Sequence, residues 1–213
     1  MTDVTEMLAM AIRHRDADML IARTYGFDGE NPGRGCSVGC FAHEIGAKPA
    51  DHAAVAAHFG VPESLIVLQV AVFDGLADAG ERADWHVGVA AAYVGVTDWH
   101  AALHRTHAAI LRVALKTAGP AAPAVQAVID LHDAQAPEDD ARWSAAQDAP
   151  RNKTQSAAVW SASWAQTQSA AAWAAESSVE CHAERSAARS EAWREIAAAV
   201  LGALRGAKAE AGE

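Results

Sequence analysis

The stretch NPGRGCSVGCFAHEIG, residues 31–46, sets Cys36 and Cys40 four positions apart, with His43 three further on. In a helix over 36–46 these three side chains share one narrow sector, and Val38, Phe41 and Ile45 lie opposite. Three chemistries fit. Cys36, in the first turn behind a glycine-rich loop, would be a nucleophile whose thiolate the helix dipole and free N–H groups favour. A histidine would be its base and the Gly35–Cys36 backbone its oxyanion donor. His43, His52, His58 and His86 are all candidates for that base. Alternatively, Cys36, Cys40 and His43 would hold a metal with a fourth ligand from elsewhere. Or the two thiols would form a redox pair, which on a regular helix needs distortion at Gly39. Against all three stands plain packing of two small hydrophobes in a glycine-rich knot. The candidate catalytic set is therefore Cys36, Cys40 and His43, with no cofactor or metal identified.

A second cluster lies in DWHAALHRTHAAILRVAL, residues 98–115, where His100, His104 and His107 share a helix face. Two histidines four apart can chelate zinc, but Ala101 stands where a zinc-protease helix carries glutamate, so that hydrolase is excluded. A metal or anion site, a pairing with the cysteine helix, and histidines with local polar partners stay open. Cys181 and His182 read as helix surface, and Glu138, Asp139 and Asp140 as a charged linker. GENPGRG lacks the Lys-Ser/Thr of a phosphate loop.

The elements that must position these residues read as helices. Half of the 213 residues are hydrophobic, alanine dominates that half, and alanine is the best helix former. SLIVLQVAVF is the one β-branched run, and a buried helix explains it equally well. Helices are expected over 3–24, 36–46, 51–59, 63–78, from Thr97 or Asp98 to Lys116, and over 123–134. Gly60 would end the third as a C-cap, and residues 79–96 carry no expected element. Residues 136–153, with two prolines and many charges, read as a linker. Beyond Thr154 the chain is Ala/Ser-rich with inserted tryptophans; Trp160, Trp164, Val179, Trp193, Ile196, Val200 and Leu204 fall on one helical face and Trp173 does not. One unbroken helix there would be about 75 Å long, so either it turns back near residues 176–182 or it packs along a partner chain.

Residues 25–76 resemble a group of uncharacterised bacterial and phage-encoded proteins on three elements: a G-C-x-V-G-C core, here Gly35–Cys40; a G-I-P element, here Gly60–Pro62; and an F-x-G-L element, here Phe73–Leu76. Some members also end in Ala/Ser-rich, aromatic-spiked helices. The resemblance implies no activity, raises Cys36 and Cys40 above His43 and the later histidines, and does not extend past residue 77.

The net charge of −10 argues against sequence-independent nucleic-acid binding, which needs a basic face. No run reaches 18 apolar residues, and acids occupy the N-terminal stretch where a signal peptide needs a basic region, so a cytoplasmic location without membrane insertion is expected. Three cysteines do not make a disulfide framework. The expected architecture is all-α: an irregular helical domain over 1–135, a linker over 136–153, and a long Ala/Ser/Trp-rich helix or helical hairpin over 154–213. Two functions compete. One is a thiol-centred site acting on a small-molecule or peptide ligand. The other is a non-catalytic helical binding or assembly protein, with homo-oligomer contacts through 154–213.

Overall fold

The computed structural model describes residues 4–24, 34–119, 122–137, 140–148 and 182–209. These residues form nine helices and no strand. They are α1 (Val4–Asp16), α2 (Ser37–Glu44), α3 (His52–Phe59), α4 (Glu63–Gly75), α5 (Ala79–Tyr93), α6 (Trp99–Leu115), α7 (Ala122–Asp133), α8 (Ala141–Asp148) and α9 (His182–Ala209). The chain is all-α, in two compact units, Met1–Trp99 and His100–Glu213. The two units meet at Trp99/His100, and α8 lies within residues 136–153.

Local chemistry sets the ends of the first unit's helices. Asp51 caps α3 by accepting from the Ala54 N–H at 2.9 Å, and Gly60 ends it at φ +69°. Asp78 caps α5 by accepting from the Glu81 N–H at 3.0 Å. This helix fills the interval left unassigned above. α1 is shorter than the expected 3–24. Asp18 turns left-handed at φ +52°, and the Met19 N–H closes back on the His14 carbonyl at 2.9 Å. Beyond that turn Leu20 lies opposite Gly35. Gly35 N–H donates to the Met19 carbonyl at 2.9 Å and Ile21 N–H to the Gly35 carbonyl at 2.8 Å, an isolated parallel bridge.

Apolar side chains then lock the first unit. Met7, Met10, Phe41, Phe59, Leu65 and Phe73 are buried. α5 is tied to α4 by two polar tips: Trp85 Nε1–H donates to the Gln69 carbonyl at 3.0 Å, and the Tyr93 hydroxyl to the Leu65 carbonyl at 3.2 Å. In the second unit Leu111, Val125, Val128, Ile129, Leu131 and Trp143 form a core that brings α8 onto α7. α9 buries Trp193, Ile196, Val200 and Leu204, the one-face stripe expected of the tail. The expected partners on that stripe, Trp160, Trp164 and Val179, and the hairpin position near 176–182 lie outside the described residues, apart from His182, the first residue of α9. Cys181, Trp173 and Asp139 also lie outside them. No single helix among the described residues is long and apolar enough to cross a membrane.

Candidate functional site

The cysteine helix is buried on every side through its first six residues, Ser37 to Ala42. Cys36 stands just outside it as the N-cap: its Sγ accepts from the Gly39 N–H at 3.4 Å, where serine or aspartate more often serves. Cys40 donates to the Gly35 carbonyl at 3.4 Å and the Met19 carbonyl at 3.6 Å. Both cysteines are 1% exposed and unpaired with each other. Burial pushes the Cys36 thiol up to about 11 and Cys40 up to about 12. At Cys36 desolvation outweighs the Gly39 N–H, which acts in the opposite direction. His43 is exposed in the last turn, so the shared sector of Cys36, Cys40 and His43 does not form one accessible face.

Of the four candidate bases, His86 reaches α2, but it meets Ser37 and not Cys36. His86 Nδ1 lies 2.8 Å from the Ser37 Oγ, and His86 Nε2 lies 3.1 Å from His14 Nδ1. His14 Nε2 lies 2.7 Å from Glu44 Oε2, and Gln69 Nε2–H donates to Ser37 Oγ at 2.6 Å. Five side chains from α1, α2, α4 and α5 thus form one chain, and Arg13 binds the other oxygen of Glu44. Ser37, Gln69, His86 and His14 are at most 1% exposed, while the Glu44 side chain is 31% exposed. Phe41 stacks on His86 at 4.8 Å and meets His14 edge-on at 5.2 Å.

Donor–acceptor logic orients this chain. Burial raises Glu44, but Arg13 and His14 hold it below the usual carboxylate range, so it is ionised and accepts only. His14 must therefore carry its proton on Nε2 and accept at Nδ1. His86 then carries its proton on Nε2 and accepts at Nδ1 from the Ser37 hydroxyl, which itself accepts from Gln69. Both imidazoles are neutral. Burial lowers His14, with Glu44 partly opposing, and burial lowers His86 well below 6.5. His52 and His58 belong to α3, where His58 sits edge-on to Phe59 at 4.7 Å.

In the second unit the face shared by the three histidines of α6 divides. His100 is exposed, while His104 and His107 are buried and meet His132 of α7. The Nδ1 atoms of His104 and His132 are 3.1 Å apart, so one donates to the other. The His107 ring lies 5.0 Å from His132, which packs 4.9 Å from Trp143. Burial, then the neighbouring imidazoles, lowers His107 to about 3; burial lowers His104 to about 4. Among the described residues no three His, Cys, Asp or Glu side chains are grouped to hold a metal.

One open hollow of about 490 Å³ lies between α7 and α8. Pro123, Ala124, Ala127, Leu131 and Ala146 form its apolar wall, and Asp130 and Arg142 supply charge. Arg142 is held by Asp140 at 2.7 Å, and Asp130 by Gln126 Nε2–H at 2.7 Å. Ser37, His14, Gln69, Glu44, His132 and the hollow all lie outside the sites picked out by spacing. Compared with known proteins, the chain matches no protein-family model, no curated protein and no solved structure.

Proposed function

We propose that this is a non-catalytic helical binding protein whose second unit takes a small amphipathic ligand between α7 and α8. The observation that carries this reading is the hollow itself. Its volume is that of an ordinary small-molecule site, its wall is apolar, and the Arg142 guanidinium in its lining, bound by Asp140 through Nε and Nη2, turns its Nη1 edge to a polar head group. The thiols favour this reading over thiol chemistry, because both sulfurs are committed to backbone partners and burial keeps them protonated.

The test uses anilinonaphthalene sulfonate, an apolar body with one anionic group, titrated into the full native chain. Saturable binding is expected, and Ala127→Phe, which fills the hollow, abolishes it while the helical circular dichroism is kept. Absence of saturation, or equal binding by Ala127→Phe, refutes the proposal.

A second reading rests on the order Glu44–His14–His86–Ser37, which is that of a carboxylate and imidazoles arranged to deprotonate a hydroxyl. Ser37 is fully buried, so this reading requires opening of α2. Mass spectrometry after treatment with an alkyl fluorophosphonate decides it: an adduct on Ser37 supports an acyl-transfer serine, and an unmodified Ser37 removes it.

A further inference from the structure

The buried chain of the first unit has one loose end. Gln69 Oε1 is buried and lacks a hydrogen-bond partner among the described residues, although the other end of the same amide donates to Ser37. An unsatisfied buried acceptor is costly, and it needs an explanation.

We propose that Glu44–His14–His86–Ser37–Gln69 is a two-state proton switch, in which one proton taken up at His14 reverses every bond from His14 to Gln69. In the neutral state donation runs Gln69 to Ser37 to His86 to His14 to Glu44. When one proton is added, the His86 Nε2 proton passes along its bond to His14 Nδ1, and His14 becomes a cation with N–H on both nitrogens. His86 Nε2, now bare, accepts from His14 Nδ1–H. The added proton is carried on His86 Nδ1. Ser37 Oγ now accepts from His86, and its own proton turns toward Gln69. The amide turns over and presents Oε1, the atom that has no partner in the neutral state. One proton enters and none leaves, and Glu44 remains the counter-ion.

The surroundings of His14 allow one charge. The charged and titratable groups that face it are Arg13 on α1, His43 and Glu44 on α2, and His86 on α5. α3 contributes the apolar ring of Phe59, edge-on to Phe41, and α4 contributes the neutral Gln69. Glu44 favours the cation, whereas burial, Arg13 and His43 oppose it.

The experiment is a two-dimensional proton–nitrogen correlation spectrum of the full chain carrying nitrogen-15 in its histidine rings, followed from pH 7.5 downward. At pH 7.5 both His14 and His86 show a bare Nδ1 and a protonated Nε2. As His14 becomes doubly protonated, His86 exchanges to a protonated Nδ1 and a bare Nε2. His86 keeping its Nε2 proton throughout overturns the proposal, as does loss of the native spectrum before His14 titrates. Gln69→Met gives an independent check. In the neutral state it removes the donor to Ser37 but leaves the Ser37 hydroxyl bonded to His86, whereas in the acid state it leaves a buried hydroxyl proton without an acceptor. The His14 midpoint is therefore expected to fall by about one pH unit; an unchanged midpoint overturns the part assigned to Gln69.

Discussion

Acidification from pH 7 to pH 5 destabilises the second unit, and His107 sets the scale of the loss. In the unfolded chain an imidazole titrates near 6.5. In the folded unit burial, with His132 and His104 nearby, brings His107 down to about 3. Between these values the unfolded state binds a proton that the folded state refuses, so stability is full above 6.5 and falls as the pH drops toward 3. Integrated from pH 7 to pH 5, one such group removes about 2 kcal/mol. His104, lowered by burial to about 4, acts in the same direction. Asp140, drawn down to about 2 by its bonds with Arg142, stays ionised throughout this window. Urea titrations read by hydrogen–deuterium exchange on α6 and α7 peptides measure the loss in this unit alone. An unfolding free energy that changes by less than about 0.5 kcal/mol between pH 7 and pH 5 would refute the assignment of His107 as a buried neutral group.

Two further outcomes follow from burial. In the native chain Cys36 and Cys40 react with iodoacetamide at neutral pH more slowly than free cysteine, and in urea they react at the free rate; a native rate equal to the free rate would restore the thiol-centred site. Leu204→Ala, at a fully buried position of α9, costs about 2–5 kcal/mol in urea unfolding; a loss below about 1 kcal/mol would mean that the Trp193–Leu204 face is not docked.

The helical class was legible because local chemistry determines it. Asp51 and Gly60 bound α3 where the sequence places them, and the Trp193, Ile196, Val200 and Leu204 stripe is buried as its spacing implies. Asp78 and Glu81 carry the same kind of signal for α5, a capping residue with glutamate three positions on. For α2 the spacing rule misleads. It tells which residues share a sector, but not whether that sector meets water, and here Ser37 to Ala42 are buried all round. The five-membered chain was not legible as a unit, since its bonds span up to 72 positions of sequence.

Its members nonetheless left traces one by one. His14 continues the buried face of Met7, Met10 and Ala11 on α1, and Gln69 is the one polar residue in LIVLQVAVF, residues 65–73. His104 and His107 share the inward face of α6 with Ala108 and Leu111. A histidine on an apolar stripe must find a partner, because a buried polar nitrogen without one is costly. In both units the partner is a histidine from a neighbouring helix: His86 of α5 for His14, and His132 of α7 for His104. A neutral imidazole both donates and accepts, so such pairs join two helices through an apolar core without burying a charge. The same property makes the joint conditional. A second proton on either ring turns its acceptor nitrogen into a donor, and the pair survives only if the whole chain of partners can reverse. Glu44 and Gln69 give the first unit a counter-ion at one end and a spare acceptor at the other.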